Sequence, residues 1–150
     1  MVADVYVDQI AAIPDDALLY RRAIPRFIDW SVLDETGAPR LTSGCFQYLS
    51  EEEARKRGYS GPAMSIGLDR VLADLGHSPM EMLEGFEPTY GLAVLRAGAV
   101  REKHQGIFAR PTPQEPWHGV IFCSDDSIKR KTLHSMLAEI AKWYHVPARQ

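Results

Sequence analysis

Four short runs, residues 18–24, 44–49, 90–95 and 119–123, gather β-branched and aromatic residues between turn signals. That composition fits a pleated, half-buried surface. Weaker runs of the same kind lie at residues 5–7, 62–66 and 105–109. No regular helices of crossover length separate them, so parallel pairing through repeated βαβ units is not the expected solution. The expectation is a single α+β domain, with a mixed or antiparallel sheet carrying a long C-terminal helix and shorter helices packed on it.

The long helix is the clearest of these. From Ile128 onward, Leu133, Met136, Leu137, Ile140, Ala141 and Tyr144 recur at three- and four-residue spacing, which lays them on one helical face reaching about Tyr144. Ser124, Asp125, Asp126 and Ser127 offer caps before it, and Pro147 limits it afterwards. Ser50-Glu51-Glu52-Glu53 and Ser78-Pro79-Met80-Glu81 have the pattern of capping boxes, with Gly58 and Gly85 placed to stop each helix. Between them Leu68, Val71, Leu72 and Leu75 form an apolar stripe ending at Gly76. The three prolines of residues 110–116 predict a rigid loop.

A chain of 150 residues can bury one adequate core. Its 45% hydrophobic and 25% charged residues argue against disorder or a fibrous protein. The net charge of -3 gives no overall cationic field, so nucleic-acid binding is not indicated. Cys45 and Cys123 are far apart and set among apolar residues, as small buried hydrophobes are. With no basic segment near Met1 and no run of the roughly 18 apolar residues that a membrane helix requires, the expected location is the cytoplasm, with reduced thiols.

Some stretches carry a resemblance. Leu19-Tyr20-Arg21-Arg22-Ala23-Ile24-Pro25, Ser43 with Phe46, Met64-Ser65-Ile66, Gly91-Leu92-Ala93-Val94, Ala97-Gly98-Ala99-Val100-Arg101 and Pro116-Trp117-His118-Gly119-Val120 together resemble a family of small uncharacterised bacterial proteins. The similarity spans Leu19 to Val146 and implies a bacterial, single-domain protein without implying an activity. The chain also resembles small ADP-ribosyltransferase-like toxins, in which an arginine on the first strand, a serine-containing strand and a later glutamate surround NAD. Arg21 or Arg22, Ser43, and one of Glu51, Glu52 or Glu53 stand in that order. The Glu-X-Glu pair of those toxins is absent, and the glutamates here also read as a helix start.

Arg21 and Arg22 are adjacent on a strand, so alternation sends one to each face. Together with Arg40, Ser43 and His118 they form the candidate ligand-binding set, because arginine's planar fork of donors suits phosphate and carboxylate. His104 and His118 could share proton transfer in a metal-independent ribonuclease, although no spacing brings them together. The five histidines include no pair at the i, i+4 spacing of helical zinc sites, and neither cysteine has a Cys-X-X-Cys neighbour. No metal or cofactor is therefore expected. Ser65 lacks a Gly-X-Ser-X-Gly setting and reads as the start of a following helix. Lys129-Arg130-Lys131 would oppose the dipole at a helix start by about a few tenths of a kcal/mol each, and marks a candidate surface for an acidic protein partner.

The functional expectation is a binding or accessory protein acting through a partner or a small anionic ligand. The alternative is a toxin-type enzyme using NAD or cleaving RNA. Both cysteines should titrate as free thiols in the unfolded, non-reduced protein, and an intramolecular crosslink found by mass would contradict the reading of two reduced thiols.

Overall fold

The computed structural model describes residues 6–149. Eight strands and four helices follow one another as β1 (Leu18–Ala23), β2 (Ile28–Leu33), β3 (Pro39–Leu41), α1 (Glu51–Lys56), β4 (Ala63–Leu68), α2 (Asp69–Asp74), β5 (Gly91–Arg96), α3 (Ala97–Glu102), β6 (Gln105–Ala109), β7 (His118–Cys123), α4 (Arg130–Ile140) and β8 (Lys142–His145). Single 3-10 turns occupy Pro25–Phe27, Ser43–Phe46 and Pro79–Leu83. Six strands form one sheet in the order β6-β7-β4-β1-β5-β8, and β2 pairs with β3 as a separate hairpin. Every pairing is antiparallel. The fold is thus a single α+β domain with an antiparallel sheet.

Strand alternation divides the apolar residues between two faces. Leu19, Met64, Ile66, Leu95, Ile107 and Ile121 join Phe46, Leu133 and Leu137 in the main core, beneath α4 and the Ser43–Phe46 turn. The opposite face holds two smaller clusters, one of Tyr20, Leu72, Met82 and Leu92, the other of Ala54, Tyr59, Val120 and Phe122. Helices α1 and α2 and the Pro79–Leu83 turn cover that side. Part of the capping chemistry read from the sequence is present: Ser50 Oγ accepts from the Glu53 amide at 3.1 Å, without a return bond from Glu53 among the described residues, while Ser78 and Glu81 complete a reciprocal box at a 3-10 turn instead of a helix. Gly58 and Gly85 then turn the chain at φ of 74° and 82°, a region that costs glycine little.

Several expectations are corrected. Residues 44–49 form no strand: Cys45 N bonds back to Thr42 O at 3.0 Å, and Gly44 lies so close to the Phe27 ring that a Cβ there would meet it at 2.3 Å. The 3-10 turn buries both Cys45 and Phe46. Helix α4 begins at Arg130 rather than near Ile128, because Asp125 folds onto Ser127 in a local turn, with contacts of 3.0 and 2.6 Å, and leaves Lys129 as a cap without a side-chain bond. It also stops at Ile140. Residues 142–145 extend as β8 to pair with the edge of β5, Trp143 Nε1 donates to Pro39 O at 2.8 Å, and Tyr144 remains exposed. Residues 6 and 7 form no strand, and Val5 lies outside the described residues. Instead, Asp8 and Gln9 cover the free edge of β6, with Gln9 N bonded to Ile107 O at 3.0 Å and Gln9 Oε1 accepting from Ala109 N at 2.7 Å. An edge blunted in this way is a poor template for another strand.

Cys45 is buried, Cys123 is half-buried, and both are free. Among the described residues no helix is long and apolar enough to cross a membrane. Leu137 is fully buried between α4 and the sheet. Leu137→Ala should therefore lower stability by about 2 to 5 kcal/mol, read from denaturant midpoints at unchanged slope, and a loss below 0.5 kcal/mol would place this stripe outside the core.

Candidate functional site

Strand β1 pairs with β5 over six residues but with β4 over only two, Leu19 opposite Leu68 and Tyr20 opposite Gly67. Beyond Tyr20 the ladder between β1 and β4 ends, and the Arg21 side chain takes its place. Arg21 Nη1 donates to Ser65 O at 2.9 Å, and Nε donates to Cys45 O at 3.0 Å. A cavity of about 40 Å³ lies at this parting of the strands, bordered by Arg21, Arg22, Ser65, Met82, Glu115 and His118. A space of this kind needs about 10 to 15 Å³ to hold one water, so the cavity can receive the tip of a ligand but not the whole of one.

Alternation sets Ser65, Arg22 and His118 on one face, while Arg21 reaches the gap between the strands from the other. On β4, Ser65 faces the same side as Gly67, and Gly67 stands opposite His118 on β7. Ser65 and His118 are consequently diagonal neighbours, a relationship that brings long side chains into contact. His118 Nε2 lies 3.0 Å from Ser65 Oγ, and Nδ1 lies 2.7 Å from Arg110 O. A carbonyl can only accept, so Nδ1 carries the proton and Nε2 of the neutral ring accepts from the serine hydroxyl. Tyr59 Oη lies 3.4 Å from both Ser65 Oγ and His118 Nε2, and the Arg110 guanidinium covers the Tyr59 ring at 4.3 Å.

The second arginine is already satisfied. Arg22 Nε donates to Met82 O at 2.5 Å, Nη2 meets Glu115 Oε2 at 2.8 Å, and the guanidinium stacks over Phe86 at 4.5 Å. Gly67 permits the approach of this wall, since a Cβ there would lie 2.4 Å from Met82 Sδ. The proline-rich loop delivers Glu115 by closing on itself: Glu115 N bonds Thr112 Oγ1 at 2.9 Å, and His118 N bonds Glu115 O at 2.9 Å.

Arg21 is different. Burial pulls its guanidinium down to about 10, which still leaves it protonated at neutral pH. Both of its hydrogen-bond acceptors are main-chain carbonyls, and among the described residues it has no carboxylate partner. A half-buried cation held only by main-chain carbonyls gains from an arriving anion. The Tyr59 hydroxyl, 3.4 Å from Ser65 Oγ, adds a further donor beside the same charge. Cys45, next to Arg21, is no nucleophile, because burial pushes its thiol up to about 11.

The structure thus gathers Arg21, Arg22 and His118 from the sequence-derived set and leaves the others elsewhere. Arg40 is exposed and pairs with Asp29 at 3.1 Å across the β2–β3 hairpin. Ser43 opens the 3-10 turn whose Cys45 carbonyl holds Arg21. Glu51, Glu52 and Glu53 form the exposed first turn of α1. Lys129, Arg130 and Lys131 are exposed at the start of α4, with Arg130 3.6 Å from Glu51. His104 precedes β6 at the end of the β6–β7 ladder remote from His118, so these two histidines do not form a pair. Ser65, expected to open a helix, sits within β4, and α2 starts only at Asp69. Its placement beside His118 depends on strand register, for which no local sequence signal exists. Tyr59 likewise follows Gly58 in a turn and gives no motif.

Larger concavities of about 660 and 610 Å³ lie elsewhere. Several of their polar groups are already engaged, Tyr48 Oη with Gln105, Cys123 Sγ with Asp125 O at 3.1 Å and Arg40 with Asp29, whereas the buried Tyr6 hydroxyl beside the first has no hydrogen-bond partner among the described residues.

Burial lowers the affinity of both His118 and His134 for a proton; His134 Nε2 accepts from Tyr48 N at 3.0 Å. With folded-state values below the ordinary 6.5, the unfolded chain binds protons first as pH falls. Stability should be complete above about pH 7.5 and decline as pH falls through the unfolded value toward about 5.5, a window above the carboxylate range. Denaturant midpoints at the two limits test this, and an unchanged or higher midpoint at pH 5.5 would contradict two buried neutral imidazoles.

No protein-family model, curated protein or solved structure matches this chain.

Proposed function

We propose that the protein binds a small ligand through a terminal oxyanion, phosphate or carboxylate, seated where β1 and β4 part. The observation that carries this reading is the half-buried guanidinium of Arg21, held in place by two carbonyls and lacking a carboxylate partner among the described residues. Fixed by those bonds, it presents its remaining donors without having to be ordered on binding, which keeps the entropic cost of association low. Ser65, Tyr59 and His118 supply hydrogen-bonding groups beside the charge. The cavity's size means that only the charged tip enters, while the rest of the ligand lies against the surface near Arg22 and Glu115. In this reading the protein acts as a cytoplasmic bacterial binding or accessory protein, and the Lys129–Lys131 cluster serves an acidic partner.

A second reading, transfer chemistry on NAD, draws support from one arrangement. An arginine on β1, a serine on a strand and a later glutamate converge on one cavity in the chain order of the ADP-ribosyltransferase-like toxins, with Ser65 and Glu115 replacing Ser43 and residues 51–53. Glu115 would first have to leave Arg22, to which it is bonded at 2.8 Å.

Thermal shift with inorganic phosphate, acetate and NAD separates these outcomes. At tenfold above Kd, a ligand of the native state adds about 1.4 kcal/mol, about 3 to 6 °C for a chain of this length. Phosphate or acetate should produce the shift and Arg21→Gln should abolish it while still melting cooperatively. A shift with NAD alone would favour the transfer reading. No shift with any of the three would remove the anion site.

A further inference from the structure

The anion reading leaves the serine–histidine contact without a task, and that contact has the form of an activated nucleophile. We propose that Ser65 is a metal-independent phosphoryl acceptor, attacking the phosphorus of a phosphate ester whose oxyanion is held by Arg21; this rests on the anion site proposed above. Three contacts converge on it. Arg110 O fixes the His118 tautomer so that Nε2 is the basic nitrogen. Nε2 lies 3.0 Å from Ser65 Oγ, within reach for proton transfer. The base is oriented by a third group, as an activated hydroxyl requires, with a main-chain carbonyl in the position where a carboxylate often stands. The Arg21 guanidinium is anchored to the main chain of the same serine at 2.9 Å, so charge and nucleophile are held in one rigid unit.

In the first step Ser65 Oγ bonds to phosphorus as its proton passes to His118 Nε2, the bond from phosphorus to the ester oxygen breaks, and the departing oxygen takes that proton. Water then attacks the phosphoserine, giving its proton to the same nitrogen, and phosphate leaves as Ser65 Oγ recovers a proton. Arg21 opposes the charge spread over the phosphoryl oxygens throughout, the part that arginine plays in phosphoryl transfer generally. Tyr59 Oη, 3.4 Å from Ser65 Oγ, is a positioning group.

The test is labelling of the full chain with a small fluorophosphonate, which needs only an activated serine and releases fluoride, followed by peptide mass mapping. The expected result is modification at Ser65, suppression by excess inorganic phosphate, and labelling slower by about a hundredfold or more in His118→Gln, the range that a positioned general base supplies. Because His118 is neutral above its lowered pKa, the labelling rate should have reached its plateau by pH 7.5. Phosphate protection is read on the unaltered protein, so the test survives if His118→Gln does not fold. A phosphate thermal shift without labelling at Ser65 would overturn the nucleophile while leaving the anion site standing. Labelling unaffected by phosphate would overturn the coupling to Arg21. Neither labelling nor a phosphate shift would remove both proposals together.

Discussion

The charged side chain of Arg21 stands where a sheet would ordinarily continue its ladder, and the surroundings of the site are arranged around that substitution. Two antiparallel partners could flank β1 along its whole length, yet only β5 does. On the other side the guanidinium takes over, bonding the Ser65 carbonyl that main-chain pairing would otherwise satisfy. The exchange keeps buried acceptors paired. It also leaves a half-buried permanent cation at the strand gap, where an anion gains more from meeting it than at the open surface.

The rest of the fold keeps that arrangement rigid. Below the sheet, α4 and the Ser43–Phe46 turn close the main core, and the turn's Cys45 carbonyl is the second anchor of Arg21. Above it, the Pro79–Leu83 turn lies on Gly67 and offers Met82 O to Arg22. The proline-rich loop then sets Glu115 against Arg22 and hands the Arg110 carbonyl to His118. Two adjacent arginines on one strand thereby reach opposite electrostatic states. Arg22 is neutralised by a carboxylate, whereas Arg21 is held by carbonyls alone.

Much of this was legible before any coordinates. Five of the seven strand runs read from the sequence appear as β1, β4, β5, β6 and β7, Ser50 caps α1 through the Glu53 amide, and Ser78 forms its reciprocal box at a 3-10 turn instead of a helix. Where the reading failed, contacts distant in sequence had outweighed a local preference. The aromatic and cysteine content of residues 44–49 favours a strand, but the Phe27 ring against Gly44 folds it into a turn. Helical spacing continues through Tyr144, but the open edge of β5 draws residues 142–145 into the sheet, since unpaired strand donors and acceptors are a stronger demand than one further helical turn.

By itself the sequence determined the class of fold, the faces of its strands, the stops of its short helices and the presence of two arginines that alternation must send apart. Those properties depend on spacing along the chain and on the dihedral preferences of single residues. Only the tertiary structure decided which arginine meets a carboxylate, that Ser65 and His118 touch, and that Arg40 and Ser43 lie away from them. These pairings span as many as 93 residues and follow from strand order and register. A one-residue slip would leave every local preference intact while turning each of these side chains to the other face.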